Sequence, residues 1–181
     1  MNNKHFVFFI CIISLFILFI TNKIFSYYQI RHNMPDTLIQ IKEANSDKEL
    51  SNIFSTTDSK ISLIVIYTSW CSSCIKKIPE INKIIGENEN INPIIISLDE
   101  DKNKLLHFLS RQSTVNFIPY NVSPHHIKKL LSHLTKKGIN FNNNIPYIAV
   151  LYDGIPPITN IGSINQLKLI IKNITEEYNI S

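Results

Sequence analysis

Two cysteines separated by two serines, Cys71-Ser72-Ser73-Cys74, are the residues of this 181-residue chain whose types and spacing carry chemistry. A thiol pair at this spacing opens and closes a disulfide: one sulfur attacks a substrate disulfide and the other resolves the mixed disulfide. The flanking sequence selects between the two sulfurs. Upstream, Ile61-Ser62-Leu63-Ile64-Val65-Ile66-Tyr67 is a β-branched run of strand length. Downstream, Ile75, Ile78, Ile81, Ile84 and Ile85 recur at helical spacing as far as Gly86. The pair therefore stands where a strand ends and a helix begins. A helix N-terminus offers unpaired N–H groups and about half a positive charge, which stabilises a thiolate on the first cysteine. Cys71 is the expected nucleophile and Cys74 the expected resolving thiol. A lone C-x-x-C is also half of a zinc site, but there is no second pair and the histidines lie far off in sequence, so no metal is expected.

The third cysteine, Cys11, belongs to a different kind of segment. From Phe6 to Ile20, fourteen of fifteen residues are apolar, Ser14 being the exception. Fifteen helical residues span about 22 Å, short of the roughly 30 Å hydrocarbon core, and this length suits a signal peptide. No small-x-small cleavage site comes after it, however. Lys23, Tyr27 and Tyr28 instead extend the segment to about twenty residues with an interfacial end. Residues 1–28 are therefore expected to form an uncleaved membrane anchor, with a cleaved signal as the alternative. Cys11 is an apolar wall residue on this reading.

The dithiol also needs a scaffold to position it. Residues 29–45 are expected to connect anchor and domain, and 46–181 to form one domain. Ser46 is an expected N-cap with Glu49 three residues on, ahead of a short helix carrying Leu50, Ile53 and Phe54. A buried strand over 92–98 leads through Asp99-Glu100-Asp101 into a helix holding Leu105, Leu106, Phe108 and Leu109. A short strand is expected over 117–122. A helix should then run from Pro124 to Lys137, closed by Gly138. Residues 146–152 and 155–161 read as strands joined by Asp153-Gly154, and 164–174 as a closing amphipathic helix. Such β-α alternation predicts an α/β domain.

With these elements in place, the chain resembles the thioredoxin-like superfamily. Trp70-Cys71-Ser72-Ser73-Cys74, with Pro79 five residues beyond, is similar to the active-site helix of thioredoxins, which that proline kinks. Ile145-Pro146 opens a strand, and Gly154 and Gly162 come at the family's offsets. The resemblance implies a central mixed sheet flanked by helices and a cis peptide at Pro146 facing Cys71. It also implies a reversible Cys71–Cys74 disulfide, and a substrate groove formed by Trp70, Ile145 and Pro146, where the Ile145 backbone pairs with an extended substrate.

The cysteine-to-proline separation exceeds that of short thioredoxins through a central insertion around residues 100–138. Together with the anchor, this resembles the TlpA/ResA-type thiol-disulfide oxidoreductases. That second resemblance implies a single-pass protein of the bacterial inner membrane, its catalytic domain extracytoplasmic, reducing protein disulfides. Residues 6–25 would lie in the bilayer, and a DsbD/CcdA-type membrane donor would recharge the dithiol; no cofactor is implied. The sequence departs from the family at two acids, replaced here by Val65 and Lys77. Asn142-Asn143-Asn144 replaces the Gly-rich stretch before the proline, and the cytochrome c role does not carry over. A lysine at 77 either depresses a thiol pKa or lies on a solvated helix face.

An alternative keeps the fold and changes the purpose: a copper-delivery protein of the SCO type, or a non-catalytic binding module. His125, His126 and His133 on the insertion are the candidate remote ligands, although SCO cysteines stand one residue wider. The net charge of +4 is spread along the chain rather than gathered in a block, which gives no support to nucleic-acid binding. Three cysteines exclude a disulfide-stapled scaffold. Alanine is limited to Ala44 and Ala149 while Ile, Asn and Lys abound, a compositional bias that makes chance motifs common. The sequons at Asn121, Asn173 and Asn179 are of that kind.

Overall fold

The computed structural model describes residues 17, 18, 20–22, 39–55 and 61–178. The chain divides into two units, Met1–Leu38 and Ile39–Ser181. In the first, Ile17, Leu18, Ile20, Thr21 and Asn22 are helical and exposed, and the Thr21 hydroxyl donates to the Leu18 carbonyl at 3.0 Å. The rest of the expected anchor, with Cys11, Lys23, Tyr27 and Tyr28, lies outside the described residues. Among the described residues no helix is long and apolar enough to cross a membrane.

The second unit is built on a five-stranded mixed sheet in the order β1-β4-β3-β2-β5, where β1 is Lys42–Glu43, β2 Ile61–Tyr67, β3 Ile91–Ser97, β4 Tyr120–Asn121 and β5 Tyr147–Leu151. The first four run parallel and β5 pairs antiparallel with β2. All seven residues of β2 are buried, which is why the strand reads as an apolar run broken only by Ser62. Its side chains alternate between two cores. Ile61, Leu63, Val65 and Tyr67 join one, capped by helices α2 (Ser72–Glu87), α3 (Lys102–Leu109) and α5 (Ile164–Glu177). Ile64 and Ile66 join the other, under α1 (Asp47–Ile53) and α4 (Ile127–Lys136).

Several boundaries differ from expectation for physical reasons. Residues 39–45, read as connector, belong to the fold: Ile39 and Ile41 pack on the first core and β1 pairs with β4. The 117–122 strand contracts to Tyr120–Asn121, since Pro119 has no N–H to give a ladder. The strand expected over 155–161 reduces to one antiparallel bridge, Val150–Ile158, because Pro156 and Pro157 likewise cannot donate. Pro124 opens a 3-10 turn, Pro124–His126, that runs into α4. Gly138 closes that helix at φ +75°, its N–H bonded to the Thr135 carbonyl. Ser46 caps α1 as a capping box: its hydroxyl accepts from Glu49 N–H at 3.2 Å, while the Glu49 carboxylate accepts from the Asn45 N–H at 2.9 Å.

Candidate active site

The parallel pairing of β2 with β3 brings the C-terminal ends of both strands to one edge of the sheet, with Tyr67 opposite Ser97. Two residues further along, Ser69 faces Asp99. Asp99 is buried, and its carboxylate accepts from the Ser69 N–H at 2.9 Å, the Ser69 hydroxyl at 2.7 Å and the Ser97 hydroxyl at 2.7 Å. A buried carboxylate is tolerated only when hydrogen-bonded in this way. The clamp fixes the turn that leads into Trp70 and Cys71, where the Cys71 N–H returns to the Thr68 carbonyl at 3.4 Å. In the sequence Asp99 reads only as a loop acid, and its role was missed there. The signal is positional: an acid two residues past the end of an apolar strand, level with the turn beyond the neighbouring strand.

Cys71 is the N-cap of α2, in extended conformation at φ −76° and ψ 119°. Its half-buried sulfur receives the Cys74 N–H at 3.4 Å and stands 3.0 Å from the Ser73 hydroxyl. Both thiols are free. Burial pulls the Cys71 thiol upward, but hydrogen bonds from the Cys74 thiol, the Ser73 hydroxyl and the Cys74 and Ser73 amides outweigh it and hold the pKa below the ordinary thiol value. Cys74 is buried in the first core, and burial, with the hydrogen bond to Cys71 and the charges of Cys71 and Asp99, pushes it up to about 12. The two sulfurs are thus driven apart in acidity, one toward thiolate and one toward thiol.

Across the site the Ile145–Pro146 peptide is cis, as the resemblance implied. The Ser73 hydroxyl stands 3.3 Å from the Ile145 carbonyl, its single proton serving either that acceptor or the Cys71 sulfur, and Cys71 in its thiol form donates to the same carbonyl at 3.7 Å. Cys71, Ser73 and the Ile145-Pro146 corner therefore form one cluster. Trp70 beside it is 67% exposed, as a groove-flanking residue is and a core aromatic is not. Pro79 sits inside α2, which continues to Glu87, leaving the Ile75 carbonyl without its usual helical donor.

The Lys77 ammonium donates to the Gly162 carbonyl at 2.7 Å and ties α2 to the loop before α5. Val65 is fully buried, so the family's buried-acid position is apolar here. Beneath the site the Tyr67 hydroxyl is buried with no hydrogen-bond partner among the described residues, and its pKa is raised by burial and by the charges of Asp99 and Cys74.

Among the described residues, His126 and His133 have partners other than the cysteines. His133 lies in α4, on the second core, pairing with Asp47 at 3.1 Å and stacking on Phe54, and His126 meets the Ser123 hydroxyl at 2.9 Å. Among the described residues no three His, Cys, Asp or Glu side chains are grouped to hold a metal.

The sequence model of the thioredoxin family matches residues 24–133, more than half of the chain. No curated protein matches the sequence. Among solved structures, a thioredoxin-related protein from Neisseria meningitidis serogroup B is similar at a TM-score of 0.52 and 14% identity, covering 68% of this chain and 90% of that one. A thiol:disulfide interchange protein from Bacteroides sp. gives 0.51 at 15% identity, covering 65% and 74% of the two chains. The thioredoxin domain of a thiol-disulfide oxidoreductase from Bacteroides vulgatus gives 0.50 at 12% identity, covering 64% and 79%. At these identities the likeness is one of fold.

The geometry sets two expected outcomes. Ser73→Ala removes a hydrogen bond to the Cys71 sulfur, so the pH profile of Cys71 alkylation moves to higher pH; an unmoved profile would show that the hydroxyl does not stabilise the thiolate. Asp99→Ala leaves the Ser69 and Ser97 groups without their acceptor and costs about 3 kcal/mol or more in urea unfolding, where a loss under about 1 kcal/mol would contradict the clamp.

Proposed function

The chain belongs to the thioredoxin family, whose chemistry is thiol-disulfide exchange, and from that premise we propose that it is a membrane-anchored reductase of extracytoplasmic protein disulfides. The observation that carries the exchange chemistry is the placement of Cys71: half-buried at the tip of α2, favoured as thiolate, beside the cis Ile145-Pro146 corner.

The Cys71 thiolate attacks one sulfur of a substrate disulfide. That S–S bond breaks, Cys71 is linked to the substrate as a mixed disulfide, and the released substrate thiolate takes a proton from water. An extended substrate strand displaces the weak contacts that Ser73 and Cys71 make with the Ile145 carbonyl. Cys74 then gives up its proton and attacks the Cys71 sulfur, which frees the second substrate thiol and leaves a Cys71–Cys74 disulfide. The substrate gains two electrons and the dithiol loses two. Cys74 is pushed up to about 12 in part by the hydrogen bond to Cys71 and the Cys71 charge, so forming the mixed disulfide, which removes that charge, eases ionisation of Cys74 for the resolving attack.

A reducing direction is supported by what stabilises Cys71. The groups that lower its pKa most are hydrogen-bond donors at the tip of α2. A strong oxidant is one whose reduced form is heavily stabilised, and here burial opposes ionisation of both Cys71 and Cys74. The anchor rests on the apolar run Phe6–Ile20, and an extracytoplasmic reductase needs electrons from a membrane donor of the DsbD/CcdA type.

Reduction of a model protein disulfide by the full chain in neutral detergent checks the assignment. Cys71→Ser is expected to fall to the uncatalysed rate, and Cys74→Ser to accumulate a substrate adduct on Cys71 visible by mass. Catalysis that survives Cys71→Ser would remove this reading.

A further inference from the structure

Trp70 separates the dithiol from a second feature, a cleft of about 1090 Å³ between α2 and α3 that begins at Ser69 and Trp70 and ends at residues 111–116. Its far wall is a built structure. Asn82, buried on α2, donates to the Thr114 carbonyl at 2.7 Å and accepts from the Asn116 N–H at 2.7 Å, while the Asn116 side chain donates to the Asn82 carbonyl at 3.0 Å. A Cβ at Gly86 would collide with that Asn116 amide, so glycine is what lets the loop lie against the helix. The cleft is therefore held open by hydrogen bonds between its walls.

Its charge is one-sided. Lys83, Lys104, His107 and Arg111 line it against a single acid, Glu87, which Lys83 already pairs at 3.7 Å. Lys104 and Arg111 have no ion-pair partner among the described residues; Arg111 meets only the His107 ring, at 3.4 Å. Exposed Asn103 and Ser113 with half-buried Gln112 add hydrogen-bonding groups suited to a peptide backbone.

We propose that this cleft binds an acidic stretch of the substrate polypeptide next to the disulfide that Cys71 attacks, with Lys104 and Arg111 pairing its carboxylates and Trp70 at the junction of the two sites. The proposal rests on the exchange reading above and names its substrate class. A chain segment fits the volume and the concave form where a single anion underfills it, and a flat anionic membrane surface does not reach between the walls.

The test uses the full chain in neutral detergent and two cystine peptides that differ only in carrying Asp and Glu, or Ser and Gln, beside the disulfide. The acidic peptide is expected to be reduced with about fivefold higher kcat/KM at low salt, the difference residing in KM and vanishing near about 1 M salt. Lys104→Glu with Arg111→Glu should abolish or invert the ratio, and Lys104→Arg with Arg111→Lys should keep it. Equal turnover of both peptides, or a preference that survives charge reversal, overturns the proposal. Charge reversal that changes only binding to phosphatidylglycerol vesicles would assign the cleft to a membrane surface and overturn it too. Titrating a cystine-free acidic peptide against the fluorescence of Trp70, the chain's one tryptophan, separates the two readings. Binding without turnover of any peptide removes the exchange chemistry and keeps the cleft; turnover without discrimination removes the cleft alone.

Discussion

Beyond the last rung of the β2–β3 ladder, the Ser69 N–H has left the sheet and has not yet entered α2; half-buried there, it needs an acceptor. Asp99, arriving at the same edge from β3, supplies it, and takes the Ser69 and Ser97 hydroxyls as well. Everything in the site hangs from that contact. It sets the turn from Thr68 to Cys71, which makes Cys71 the N-cap of α2, which in turn aims the Cys74 N–H at the Cys71 sulfur. The parallel strands are what make the arrangement available, since only parallel neighbours deliver both C-terminal ends to one edge.

The chemistry comes from a difference between two like groups. Three residues apart on one helix, Cys71 and Cys74 meet opposite environments: the first has donors around its sulfur at the helix tip, the second is packed among Ile78, Ile81 and the strands. Pairs of titratable groups pushed apart in this way identify their own roles. Asp99 adds to the split by placing a negative charge where it disfavours ionisation of Cys74. The residue that organises the turn also helps keep the resolving thiol protonated.

How much of this was legible depended on whether a feature was local. The strand Ile61–Tyr67 and the helix after it were plain because β-branched runs and helical spacing are written in consecutive residues, and the Ser46 capping box because it spans four. The cis Pro146 came through the resemblance. What stayed hidden depended on distant partners. Lys42–Glu43 becomes a strand only because β4 lies beside it, and Lys77 finds its carbonyl 85 residues on. Gly86 reads as the end of a helix but lies inside α2, where the Asn116 amide packs against it. Asp99 looks like one of three loop acids until the β2–β3 register puts it opposite Ser69.

The central claim is that hydrogen bonds bias Cys71 toward thiolate without stabilising the reduced form so far that the dithiol becomes a strong oxidant. The reduction potential of the Cys71/Cys74 pair, measured on the full chain against glutathione buffers, tests it most directly. The account predicts a value near that of thioredoxin, about −270 mV. A value near that of DsbA, about −120 mV, would mean a strongly stabilised reduced form and an oxidant, and would contradict it.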